Sequence, residues 1–79
     1  MKKATEHIYR FPVVIEHDRD GYVATVPSLQ GCYTQGETYE EVVANISSAV
    51  KLHIEDRRAE DEEVGDPGTV SLSTIEVAV

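Results

Sequence analysis

With 79 residues and a formal charge of −8, set by 15 acidic against 7 basic side chains, the chain has room for one domain whose surface repels a nucleic-acid backbone. Its one cysteine, Cys32, excludes an intramolecular disulfide and any multi-cysteine metal site, and fits a reducing cytoplasm. No stretch approaches the roughly 20 apolar residues that cross a bilayer, so no membrane association is expected. A chain this short buries only roughly 60–65% of the surface exposed by its unfolded form. Self-association, as a dimer or tetramer, is the expected remedy. The few cations are not gathered into a patch: Lys2 and Lys3 lie in an N-terminus expected to be mobile over residues 1–6, and Arg57 and Arg58 are set among Glu55, Asp56, Glu60 and Asp61. A basic protein partner suits such a surface better than nucleic acid does.

In chain order, the run from His7 to His17 mixes β-branched and aromatic residues, and Tyr9, Phe11, Val13 and Ile15 fall on one face of an expected strand. Pro12 within it lacks an amide, which points to an edge. Asp18-Arg19-Asp20-Gly21 reads as a turn, with Gly21 free to take positive φ and the aspartates able to bond local backbone. A second strand, Tyr22 to Val26, stops at Pro27, and a short third, Cys32 to Gln35, is closed by Gly36. Short connections make these an antiparallel meander. Thr38 and Glu41 have the spacing of a capping box, and Val42, Ile46, Ala49, Val50 and His53 recur at helical spacing, which predicts a helix from Thr38 to about Arg58 packed on the sheet. Residues 60–68 are acidic and broken by Gly65, Pro67 and Gly68, so they read as an exposed loop. The tail, VSLSTIEVAV, alternates and should return as a fourth strand, with a bulge or kink where the apolar parity shifts between Leu72 and Ile75. The expected fold is α+β, in the order β-β-β-α-β.

None of the chemistry-bearing residues assembles a catalytic or metal pattern. Asp18 and Asp20 sit in one tight turn rather than converging on a cation from separate strands. His7, His17 and His53 lack the i, i+4 pairing of a helical zinc site. Cys32, with no base in its neighbourhood of sequence, reads as a small buried filler. Gly31 and Gly36 match neither phosphate-binding pattern and read as turn residues. Tyr22, Tyr33 and Tyr39 suit either an interface or the wet edge of a core.

The runs Asp20-Gly21-Tyr22-Val23-Ala24, Val26-Pro27-Ser28-Leu29-Gln30-Gly31-Cys32 and Thr34-Gln35-Gly36-Glu37-Thr38-Tyr39-Glu40-Glu41 resemble, in that order, the N-terminal domain of HicB-like antitoxins. The resemblance covers residues 8 to 58 closely and the tail only by pattern. It implies a partial RNase H-like fold, no enzymatic activity and no cofactor or metal. It also implies a partner: HicA, a small basic toxin of double-stranded-RNA-binding fold that cleaves messenger RNA with its own histidine. Many members of that family continue into a DNA-binding segment, and this sequence stops at Val79, so direct DNA binding is not expected of it. The reading is a protein-binding antitoxin, with Tyr22, Tyr33, Gln35, Glu60, Asp61, Glu62 and Glu63 as candidate partner-binding residues. The second reading is a solitary oligomeric module that binds a small ligand or serves as an assembly subunit.

Overall fold

The computed structural model describes residues 8–65 and 67–79. The expectation of a mobile segment at residues 1–6 falls outside them, as does His7. Three antiparallel strands, β1 (Val14–Asp18), β2 (Gly21–Thr25) and β3 (Tyr33–Gly36), lie in the order β1-β2-β3, followed by one helix, α1 (Tyr39–Ala59). The α+β meander with a packed helix is the architecture expected from the sequence.

The turn between β1 and β2 forms as its residues dictate: the Asp20 amide donates to Asp18 Oδ1 at 2.8 Å, and Gly21 takes a φ of +123° that side chains resist. A Cβ on Gly21 would also stand 2.9 Å from the carbonyl oxygen of Gly36 on β3. β1 is shorter than the expected run from His7 to His17. Its partner β2 ends at Thr25, so residues before Val14 have no ladder to join, and Pro12 has no amide to offer. The Tyr9 and Phe11 rings stack on each other instead, 6.4 Å apart at 15°, and Phe11 packs against the margin of the core.

Side-chain parity follows from the register. Ala24 is fully buried beneath the helix, so its cross-strand partners Ile15 and Thr34 share its face, as do His17, Tyr22 and Gly36 in the next row. Val42 and Ile46 on α1 close over that face and complete a core with Ala24, Val26, Leu29 and Cys32. Leu29 and Cys32 arrive there through the loop after β2. Three backbone hydrogen bonds fold it inward: Val26 N to Cys32 O at 3.0 Å, Leu29 N to Val26 O at 3.0 Å and Cys32 N to Leu29 O at 3.1 Å. α1 packs on β2 and β3, and among the described residues it does not reach β1.

The helix start carries the expected cap. Thr38 Oγ1 accepts from the Glu41 amide at 3.0 Å, while the Glu41 carboxylate reaches back to the amide of Glu37, one residue beyond the cap itself. Asn45 Nδ2 donates to the Gln35 carbonyl at 2.8 Å and ties the second turn to β3. The stop lies at Glu60. The Asp61 amide donates to Arg58 O at 3.1 Å and the Glu62 amide to Arg57 O at 2.7 Å, with Asp61 left-handed at φ +63°, which is a Schellman closure made without glycine.

The expected fourth strand is not formed. Every residue from Gly68 to Val79 is exposed, with Leu72 at 92%, Ile75 at 78% and Val77 at 72%, and the tail joins no ladder of this sheet. Alternation fixes which side chains share a face, but a strand also needs a free edge to pair with, and that is not a local property. The bulge expected between Leu72 and Ile75 therefore has no ladder to interrupt.

Two substitutions test this packing. A Cβ on Gly36 would lie 2.7 Å from the Val42 amide and 2.9 Å from its Cα, so Gly36→Ala must push the helix off the sheet. The expected loss is about 1–3 kcal/mol in chemical denaturation. Thr34 Oγ1 is buried under α1 without a hydrogen-bond partner. Thr34→Val keeps its shape, suits a strand and removes the uncompensated hydroxyl, so a gain of about 1 kcal/mol is expected, read as a Tm raised by about 4–8 °C.

Candidate partner-binding surface

Because α1 covers one face of the sheet, the other is left open. It carries two cross-strand rows, Val14–Thr25–Tyr33 and Glu16–Val23–Gln35. Tyr33 is 64% exposed and Gln35 is exposed beside it, so two of the candidate residues stand together on this face. The Gln35 carbonyl is held from the helix side by Asn45, which anchors β3 while leaving the Gln35 side chain outward. A rigid, exposed tyrosine on a pinned strand, next to apolar Val14 and Val23, has the makings of a docking anchor.

Tyr22 lies on the opposite face. Its ring stacks on His17 at 3.9 Å and 5°, and meets Tyr39 edge-on at 6.2 Å and 78°. This aromatic trio seals the hairpin end of the sheet against the start of α1, so Tyr22 is half-buried packing rather than a neighbour of Tyr33. Tyr22 and Gln35 do share the wall of an open hollow at that end. Asp18, Asp20, Glu37 and Glu41 line it too, and no basic side chain does.

The other four candidates, Glu60, Asp61, Glu62 and Glu63, gather at the far end of α1, about 31 Å away for a helix of 21 residues. All four are exposed. Glu40 and Glu41 sit in the first turn, where negative charge complements the helix dipole, whereas the four acids at the last turn oppose it. Arg57 and Arg58 in that turn offset part of the effect. The run is thus both the helix stop and a concentration of negative potential, with His53, Asp56, Arg57, Glu60 and Glu62 bordering a second hollow.

The chemistry available elsewhere is slight. Burial pushes the Cys32 thiol pKa up, which holds it in the unreactive protonated form at neutral pH. Among the described residues, no three His, Cys, Asp or Glu side chains come together to hold a metal ion, and no helix is long and apolar enough to cross a membrane. The open-face members Val14, Glu16, Val23 and Thr25 were missed by sequence reasoning. Their signal was the period-two alternation around Ala24, usable once Ala24 is known to lie under the helix.

A family model described as the HicB-like antitoxin of bacterial toxin-antitoxin system matches residues 11–77. A UPF0150 protein of Synechocystis is 42% identical over 65 residues, covering 81% of this chain and 82% of that one. Another from Helicobacter pylori is 40% identical over 65 residues, covering 82% and 90%. Antitoxin HicB 2 of Photorhabdus laumondii is 33% identical over 72 residues, covering 86% of this chain but 49% of its own length. No solved structure gives a significant match. The motifs quoted above occupy the positions that make the fold: Gly21 and Gly36 at close backbone approaches, Val26, Leu29 and Cys32 in the core, and Thr38 and Glu41 at the helix cap. With this architecture and a match that spans nearly the whole sequence, the chain belongs to the HicB-like antitoxin family.

Proposed function

We propose that this chain acts in the cytoplasm, as one domain, as the antitoxin of a small basic toxin of the HicA type, which it neutralises by forming a complex over the toxin's RNA-binding surface. The observation that carries the reading is the family match over residues 11–77. The charge of −8 and the acidic ends of α1 support it, since a toxin that binds RNA must present cations, and complementary charge speeds encounter. The chain itself performs no catalysis in this scheme: the messenger-cleaving chemistry belongs to the toxin.

The contact surface in this reading is the open sheet face around Tyr33 and Gln35, with Glu60, Asp61, Glu62 and Glu63 forming a separate acidic patch at the far end of α1. Tyr33 is the anchor, and the carboxylates steer. Tyr22 contributes indirectly, by holding the hairpin end together with His17 and Tyr39.

Co-expression with a basic HicA-type protein encoded beside it is the test. The expected result is a mixed complex that survives size exclusion, with growth restored to cells that make the toxin. A toxin that neither co-purifies nor loses its toxicity defeats the reading. Within the complex, Tyr33→Ala should weaken binding by about 2 kcal/mol, roughly 30-fold, while leaving stability within about 0.5 kcal/mol. Replacing Glu60, Glu62 and Glu63 with glutamine should instead slow association and flatten its dependence on salt.

A further inference from the structure

The tail poses a physical problem that the toxin reading does not solve. Val70, Leu72, Ile75, Val77 and Val79 all stand exposed in one stretch, and the molecule measures 63 × 26 × 21 Å, too elongated for its sheet and helix alone. Alternating apolar side chains on an unpaired, extended segment are the recognised signal for strand addition to an exposed edge. The charge pattern narrows the occupant. From Thr69 to Val79 the only charged residue is Glu76, so the tail offers a basic toxin almost nothing to pair with. The longer uncharged run, residues 21–36, is already taken up by β2, the core loop and β3, so the tail is the weakly charged stretch left unpaired for contact between two copies that each carry −8.

The chain carries an acceptor as well. The sheet has free edges at β1 and β3, but β3 has four residues and runs directly into the cap of α1. β1 is longer, its outer edge is unpaired, and the helix covers β2 and β3 without reaching it. Ile15 on its helix side is only half-buried, and Val13 and Ile8 stand exposed on the approach to it. An added strand there would cover Ile15 and Val13 with the side chains that now face water. The core within one copy consists of six small or medium side chains with no fully buried aromatic, which leaves a single chain short of apolar burial.

We propose that residues 69–79 form an exchanged strand that adds to the free edge of β1 in a second copy, which returns its own tail to the first. Each copy supplies one donor and one acceptor, so the contact is isologous and closes as a dimer. The tail then forms the fourth strand expected from its pattern, but in another molecule's sheet. This assembly is independent of whether a toxin is bound.

The test uses the whole chain, free of partner. Light scattering should give twice 8.8 kDa, and the double variant Leu72→Asp with Ile75→Asp should halve that mass while retaining the helical circular dichroism of the parent. A mixture of isotope-labelled and unlabelled wild-type chains should show intermolecular contacts from the Ile75 and Val77 methyls to Val13 and Ile15. That measurement decides the matter on the wild type alone if the double variant fails to fold. A single-chain mass, a tail whose contacts are to its own β1, or a dimer whose intermolecular contacts lie at Tyr33 and omit the tail would each overturn the proposal. So would a double variant that folds and remains dimeric.

Discussion

The approach of α1 to β3 at Gly36 is the constraint on which the rest of the structure depends. Absence of a Cβ lets the strand backbone touch the first turn of the helix at Val42, a distance that no other residue type permits. From that contact the helix is aimed by its cap at Thr38 and pinned by Asn45 to the Gln35 carbonyl. Val42 and Ile46 then fall over Ala24, and the loop bearing Leu29 and Cys32 is folded in to fill the remaining volume. Gly21 repeats the device one strand over, with its own close approach to the Gly36 carbonyl. The two glycines therefore set the tilt of the helix and the tightness of the hairpin together, which explains how so small a core holds a defined geometry.

With one face of the sheet closed in this way, the molecule divides its labour by surface. The covered face and the loops hold the fold, and the motifs that place the chain among HicB-like antitoxins lie mostly there. The open face keeps Tyr33 and Gln35 outward on a strand that the helix cannot reach around to cover. Negative charge is arranged separately again, at the two ends of α1, where at the first turn it favours the helix and at the last it opposes it. Acids kept where they disfavour their own helix point to a demand from outside the fold. A cationic partner would relieve that local repulsion.

The elements that were legible in the sequence are those specified by neighbouring residues. Thr38 and Glu41 fix the helix start, Gly21 fixes the hairpin turn, and Val42, Ile46, Ala49 and Val50 fix the buried stripe. What was not legible depends on residues far apart in the chain. The first strand was drawn too long because its length is set by β2, and the fourth was placed in a sheet because alternation carries no information about which edge is available. The helix stop was read to within one residue, about Arg58 against Ala59, although its closure through a left-handed Asp61 has no glycine to announce it. The candidate surface divides the same way: Tyr22 and Tyr33 look equivalent as isolated tyrosines, and only the register that buries Ala24 separates a packing ring from an exposed one.

The described elements are joined almost entirely to their neighbours in the chain: β1 to β2, β2 to β3 and α1 back onto β3, with its contact to β2 the longest reach. Such a topology asks little loop closure of the unfolded chain, and proteins built on short-range pairings collapse to their native form quickly. The speed-determining steps thus belong to residues 14–59, and the exposed tail stands outside them. Sequence drift in that tail therefore does not slow the appearance of the folded sheet and helix, so the timing of folding and the character of this exposed segment can evolve separately.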